Sequence, residues 1–248
     1  MKWRILNLDT FSCYMNMAID ETISEGILDG SSVPTIRFYK WNPGAVSIGR
    51  FQSMNEEVNI ESCKINGIEY VRRITGGGAV YHDTEGEITY SIIGNESLFN
   101  KGIIESYKEI CAYVIDALGI LGIDASFHPI NDILVNNKKI SGNAQQRKNK
   151  VLLQHGTILV KLNVKKMFSL LNVSKEKISD KLIKNVEDRV TCIENEKKGI
   201  TQDMIYNALI KGFTKDKECY FGELTSIEKE KANTLSERYK SDEWNFYR

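Results

Sequence analysis

An α+β fold, a mixed or antiparallel sheet with flanking helices, is what this sequence predicts, on three observations. Short segments of two-residue alternation recur at 3–8, 35–40, 45–48, 69–73, 79–82 and 88–93, the period of half-buried strands. Residues 104–121 instead place Ile110, Val114, Ala117, Leu118 and Leu121 at helical spacing, one apolar stripe to lay on a sheet. The third observation is the string RRITGGGAVYHD at 72–83, where strand pattern runs into three consecutive glycines and then resumes. Glycines weaken a sheet because they lose the most backbone entropy and pack nothing, so three in the interior of one imply close approach to the main chain.

Composition bounds the function. The 248 residues, 42% hydrophobic and 27% charged, suit a single domain over 1–248, with a helical, charged portion from about 161. Lys plus Arg and Asp plus Glu both number 33, so no net charge favours nucleic acid or an anionic membrane. No apolar run approaches the roughly 20 residues of a membrane span, and the start MKWR lacks a secretory apolar region, so a cytoplasmic location is expected. The five cysteines (13, 63, 111, 192, 219) form no CxxC pair. They are expected to be reduced thiols, neither a zinc site nor a disulfide framework. Three prolines, no low-complexity stretch and no internal repeat argue against a multidomain chain.

Along the chain, a helix is expected through 16–28 with Gly30 as its stop, which puts Asn16 and Asp20 on one face, solvated or functional. Trp41-Asn42-Pro43-Gly44 is a turn between two strands. Residues 55–66 form a short helix closed by Gly67, leading to the glycine loop. There the amides of Gly76, Gly77 and Gly78 can converge on an anion, with Arg73, Thr75, His82 and Asp83 adding charge and hydrogen bonds. Residues 132–135 and 138–141 alternate like a hairpin turned by Asn136-Asn137, bringing Asp132 and Lys139 onto adjoining strands. Taken alone, that is an ordinary surface hairpin. Arg147, Lys148 and Lys150 lack the interleaved aromatics of a nucleic-acid surface and are expected to be solvated or phosphate-facing. Thr225-x-x-Glu228 is a capping box opening a helix through about 239.

Three ordered motifs resemble the lipoate–protein ligase family, relatives of biotin protein ligases and octanoyltransferases. They are the glycine string at 72–83, the block NDILVNNKKISGNAQ at 131–145, and QHGTIL at 154–159. An Asn-x-Ala-x-x-Glu run from Asn16, Gly49-x-x-Gln52, EDRV at 187–190 and DEWN at 242–245 extend the resemblance over nearly the whole chain. It implies that Lys139 is the catalytic lysine and that Trp41 walls an acyl pocket. Arg73, Thr75, Gly76, Gly77, Gly78, His82, Asn131, Asp132, Ser141, Gly142, Ala144 and His155 would serve substrate or adenylate, His155 in a support role. It further implies ATP-dependent activation of lipoate to lipoyl-AMP, with Lys139 bridging acyl carbonyl and alpha-phosphate. Mg²⁺ would arrive mainly with ATP, Asp132 being a possible ligand. Acceptors would be lipoyl domains of 2-oxoacid dehydrogenase complexes or the glycine cleavage H protein. Many family members continue into a small C-terminal domain absent here, so a separate small subunit is expected to complete adenylation.

Two alternatives stand beside the ligase. One is an octanoyltransferase fed by a donor such as octanoyl-acyl-carrier protein. A branch of that kind carries an acyl–cysteine just upstream of the basic hairpin, about where this chain has Ala125-Ser126-Phe127. The other is a non-catalytic acyl- or nucleotide-binding module.

Overall fold

The computed structural model describes residues 2–172 and 185–248. Its strands in chain order are β1 (Trp3–Phe11), β2 (Thr35–Trp41), β3 (Ala45–Ile48), β4 (Glu69–Arg72), β5 (Val80–His82), β6 (Glu87–Asn95), β7 (Ser126–His128), β8 (Asp132–Val135), β9 (Lys138–Lys148), β10 (Val151–Leu159) and β11 (Cys219–Gly222). The helices are α1 (Cys13–Asp29), α2 (Met54–Glu57), α3 (Ile60–Ile65), α4 (Ile103–Ile120), α5 (Val164–Leu170), α6 (Ile193–Glu196), α7 (Gln202–Thr214), α8 (Ser226–Lys240) and α9 (Asp242–Asn245).

An eight-stranded mixed sheet runs β11-β1-β2-β6-β10-β9-β8-β7. Only its first two pairings, β11 with β1 and β1 with β2, are parallel. Strand alternation sorts the side chains between its faces. Ile88, Tyr90 and Ile92 of β6 join a core with Phe38, with Ile110 and Val114 of α4, and with Leu209 and Phe213 of α7. On the opposite face Tyr39, Trp41, Ile93 and Leu153 pack with Met17 and Ile23 of α1 and Tyr239 of α8. That second face also carries polar residues in the middle of the sheet, and the cavity described below lies over them. Helix α1 begins where Ser12 Oγ accepts the Met15 amide and ends at Gly30, whose φ of 80° is left-handed.

The smaller sheet, β4-β3-β5, corrects one expectation. The glycines do not interrupt a sheet interior. They cross over between β4 and β5, which pair on either side of β3 and not with each other. Two further corrections concern helices. The helix expected over 55–66 splits into α2 and α3, because Val58 leaves to bridge Leu171 and Asn59 caps α3 by accepting the Ser62 amide. The region from 161 is not wholly helical: β11 lies within it and joins the sheet edge. That expectation also covers 173–184, outside the described residues. The β8–β9 hairpin forms as expected, with Asn136 and Asn137 at φ 50° and 62°. Strand β9 continues through Lys148, and Arg147 donates to Ser106 Oγ at 2.7 Å, so this arginine ties the strand to α4.

Candidate active site

The two arginines that precede the glycine loop point to different neighbours. Arg72 is bound to the chain's end: its amide donates to Asn245 Oδ1 at 2.8 Å, Trp244 Nε1 donates to its carbonyl at 2.8 Å, and its guanidinium donates to the Asn245 carbonyl at 2.7 Å. The motif at 242–245 therefore clamps β4. Arg73 is 5% exposed and lines the cavity. Its Nη2 donates to the Gly76 and Gly78 carbonyls at 2.8 Å each, Nη1 to Ser47 Oγ at 3.1 Å, and Nε to Thr75 Oγ1 at 3.1 Å. All these acceptors are neutral. Burial lowers the Arg73 pKa to about 10, which leaves it a cation at neutral pH facing the cavity, with no carboxylate among the described residues bonded to it.

This geometry explains two of the glycines. A Cβ on Gly77, at φ 100°, would sit 2.8 Å from Arg73 Nη2. A Cβ on Gly49 would meet the Gly77 carbonyl oxygen at 2.0 Å, so the loop rests on bare backbone there.

A stacked pair forms the cavity's flat wall. The rings of Trp41 and His82 lie 3.9 Å apart and 13° from parallel. Trp41 Nε1 donates to Thr89 Oγ1 at 2.8 Å, which donates to Glu87 Oε1 at 2.8 Å. His82 Nδ1 lies 2.7 Å from Glu87 Oε1, and Nε2 lies 2.8 Å from Ser47 Oγ. The Glu87 carboxylate can only accept, so Nδ1 is the ring nitrogen that donates to it.

Beneath the loop lies a buried relay. Asp20 Oδ1 accepts from Arg37 at 3.0 Å and Ser91 at 2.8 Å, and Oδ2 lies 3.5 Å from His155 Nδ1. His155 Nε2 is 2.8 Å from Thr75 Oγ1, which in turn holds Arg73. Desolvation would raise the Asp20 pKa, but His155 and Arg37 outweigh it and the carboxyl stays below its ordinary value. Desolvation pushes His155 down, toward neutral imidazole.

At the rim, Lys139 Nζ lies 2.7 Å from Asp132 Oδ1. The Lys139 backbone is pinned on its second side: its amide donates to the Arg189 carbonyl and its carbonyl accepts the Thr191 amide, both at 2.8 Å. A Cβ on Gly142 would meet Lys139 Cε at 2.7 Å, so the missing side chain is the lysine's berth. Asn131 and Asn143 bond each other reciprocally, Asn143 Nδ2 donating to the Asn131 carbonyl at 2.8 Å.

The cavity enclosed by these groups measures about 350 Å³. Of the expected residues, Trp41, Arg73, Gly77, Gly78, His82, Asn131, Lys139, Gly142, Ala144 and His155 line it. Thr75, Gly76, Asp132 and Ser141 do not line it, although Thr75 and Asp132 are partners of lining residues. The amide nest expected of the glycine loop is at least partly a cradle for Arg73, since two loop carbonyls turn to the guanidinium. Sequence reasoning missed Arg37, Ser47, Glu87 and Thr89, and left Asp20 undecided. The available signal was Glu87, Thr89 and Ser91 alternating with Ile88, Tyr90 and Ile92, a polar stripe on a strand otherwise made for a core.

Residues 12–214 match the family model of the lipoyl protein ligase A/B catalytic domain. The chain belongs to that family. A bi-partite lipoate protein ligase from Thermoplasma acidophilum superposes with a TM-score of 0.88 at 34% identity, covering 99% of this chain and 96% of that one. A lipoate-protein ligase A bound with ATP gives 0.84 at 31% identity and 99% coverage of both. Among curated relatives, the octanoyltransferase LipM of Clostridioides difficile is 35% identical over 98% of both chains. That of Geobacillus kaustophilus is 33% identical over 99% of this chain and 98% of its own.

These relatives correct the expected activity. The curated proteins matched along nearly their whole length are octanoyltransferases, which overturns the ATP-dependent ligase as the main reading. ATP and Mg²⁺ entered that reading only through adenylation, and so did the separate small subunit. No helix among the described residues is long and apolar enough to cross a membrane.

Proposed function

We propose that this protein transfers an octanoyl group from the thioester of an acyl-carrier protein to a lysine ε-amine of a lipoyl domain. The supporting observation is the pairing of an apolar cavity with a cation at its rim, in a chain whose curated full-length relatives are octanoyltransferases. Met17, Tyr39, Trp41, Leu159 and Met167 offer the alkyl chain an apolar lining. Burying six methylenes contributes on the order of 5 kcal/mol before ordering costs. A thioester already carries its activation, so acyl transfer requires neither nucleotide nor metal.

The thioester carbonyl lies at the rim, where Lys139 Nζ donates to its oxygen. That hydrogen bond strengthens as the oxygen becomes anionic in the tetrahedral state, which is the condition for accelerating the step. Asp132, at 2.7 Å, orients the ammonium before substrate arrives. The Trp41–His82 wall gives the hydrocarbon a flat face to lie against.

The test supplies purified protein and a lipoyl domain with one of two donors, octanoyl-acyl-carrier protein or free octanoate with MgATP. Mass spectrometry of the domain should show octanoylation from the carrier protein alone. Amide formation that depends on free acid and MgATP would overturn this reading.

A further inference from the structure

We infer that Glu196 is a positioning residue for Lys139, fixing the backbone from which the lysine's ammonium reaches the thioester carbonyl. This rests on the octanoyltransferase reading above. Strand β9 has β10 as its partner only as far as the pair Ser141–Ile158. Beyond that pair β10 turns away, and the amides of Val160 and Lys161 both donate to the Gly86 carbonyl. At Lys139 the segment 189–191 takes the second side instead, through the backbone bonds to Arg189 and Thr191 and the single parallel bridge Lys139–Val190. The register of a strand pair is ordinarily set by a run of alternating side chains or by a tight turn. An isolated bridge has neither.

The carboxylate of Glu196 supplies the missing constraint. Its Oε1 accepts from Thr191 Oγ1 at 2.5 Å, and its Oε2 accepts from Asn136 Nδ2 at 2.9 Å. Thr191 is buried and follows the bridge residue, while Asn136 opens the turn that leads into Lys138 and Lys139. One carboxylate thus ties together the two segments that flank Lys139, with hydrogen bonds that its charge strengthens. Its own place is set by the core. Glu196 closes α6, whose Ile193 belongs to the same core as Ile133, Val135 and Ile140 of the hairpin. The next residue, Lys197, donates to the Leu121 carbonyl at 2.8 Å, just past the end of α4.

Glu196 itself does not line the cavity, whereas Val186 and Val190 of the preceding segment do. Losing the carboxylate leaves those valines and the other apolar contacts of the donor in place and releases the bridge beside Lys139. The side chain keeps its freedom at the rim, but the backbone it swings from is no longer held. A donor aimed at a developing oxyanion acts only at the right distance, so the loss belongs in kcat and not in donor binding.

Steady-state kinetics with octanoyl-acyl-carrier protein and a lipoyl domain test this. Glu196→Ala should lower kcat about tenfold, as a small misplacement of a reacting group does, with the donor KM within about twofold of wild type. Glu196→Gln still accepts from Thr191 and can donate to the carbonyl of a turned Asn136 amide, so it should keep kcat within about twofold. The deciding readout is the double variant. Because Glu196 works through Lys139, adding Glu196→Ala to Lys139→Ala should cost no further activity. The same loss in both backgrounds, an unchanged kcat in folded Glu196→Ala, or a loss confined to KM would overturn the inference and leave octanoyl transfer standing. If Glu196→Ala does not fold, Asn136→Gly carries the test, since glycine suits the φ of 50° there and only the side-chain bond to Glu196 is removed. It should lower kcat about threefold in the wild-type background and not at all beside Lys139→Ala; a full kcat, or an equal loss in both, would overturn the inference. Failure of the wild type to use the carrier thioester at all would instead refute the reading underneath, and this inference with it.

Discussion

At the cavity floor Asp20, Arg37, Arg73 and His155 are each under a tenth exposed and enclosed by fixed polar neighbours, whereas at the rim Lys139 keeps 39% of its side chain in solvent beside one carboxylate. The floor is a network in which every charge depends on the others, because a buried ion deprived of its partner has no water to replace it. The rim pair can exchange partners at low cost, since both ends remain partly hydrated and exposed ion pairs contribute little to stability. The difference separates two tasks. Stability and shape reside in the floor; the group that must meet a changing charge sits where it can move.

The largest expected effect tests the floor. Asp20→Ala removes the carboxylate that Arg37, Ser91 and His155 share and strands a buried guanidinium. A loss of about 3–5 kcal/mol of folding stability is expected, measured by denaturant unfolding; a loss below about 1 kcal/mol would break the comparison. Acid should reach the same network without mutation. His155 has a folded pKa below its ordinary 6.5, so the unfolded chain takes up that proton first and stability falls as pH drops below about 6.5. Asp20, also depressed, gives stability that is present above its ordinary 3.8 and is lost as pH falls through its folded value. Thermal melts at successive pH values should therefore decline in two acid steps; Asp20→Ala should abolish the lower one and deepen the upper one, because the carboxylate that holds the His155 pKa up against burial is then gone.

The rim comes next. Lys139→Ala should lower kcat by roughly 10²–10³-fold, the cost of removing one donor from a developing oxyanion, while stability stays within about 0.5 kcal/mol. Lys139→Arg should restore little, because a planar fork does not occupy a compact ammonium's berth over Gly142. A destabilised Lys139→Ala would mean that the rim is structural after all.

The two regions also differed in how legible they were. The rim could be read from residues because it is local: Asp132 and Lys139 lie on one hairpin, and the Asn136-Asn137 turn sets their register. The floor joins α1, β2, β6, β10 and the glycine loop, so Asp20 meets His155 from 135 positions away in the chain, a separation that no local period encodes. The fold shows the same split. Most strands and the long helices were visible in their alternation and caps, while β11 was hidden in a charged segment because edge pairing, not burial, makes it a strand. The glycine loop fell between: its strangeness was plain, but that its carbonyls serve Arg73 is a tertiary fact.

A smaller effect sharpens the rim. Gly142→Ala places a methyl carbon 2.8 Å from Lys139 Nζ, against the mobile end of a flexible chain. The lysine should shift and the fold should not, giving about tenfold lower kcat, near 1.4 kcal/mol of barrier, with an unchanged melting temperature. Equal losses of rate and stability would show the berth to be rigid.

The smallest expected effect lies on the wall between the two regions. Trp41→Phe keeps an aromatic surface against His82 but removes the indole N–H that donates to Thr89 at 2.8 Å. Thr89 can still donate to Glu87, so the loss is one neutral hydrogen bond, about 0.5–1.5 kcal/mol. If the wall only holds the acyl chain, the change weakens ground state and transition state alike: KM rises a few-fold and kcat does not move. Steady-state kinetics with the octanoyl donor distinguish the cases. A fall in kcat comparable to that of Lys139→Ala would make the wall part of the chemistry, and the division between a holding floor and a reacting rim would then be drawn in the wrong place.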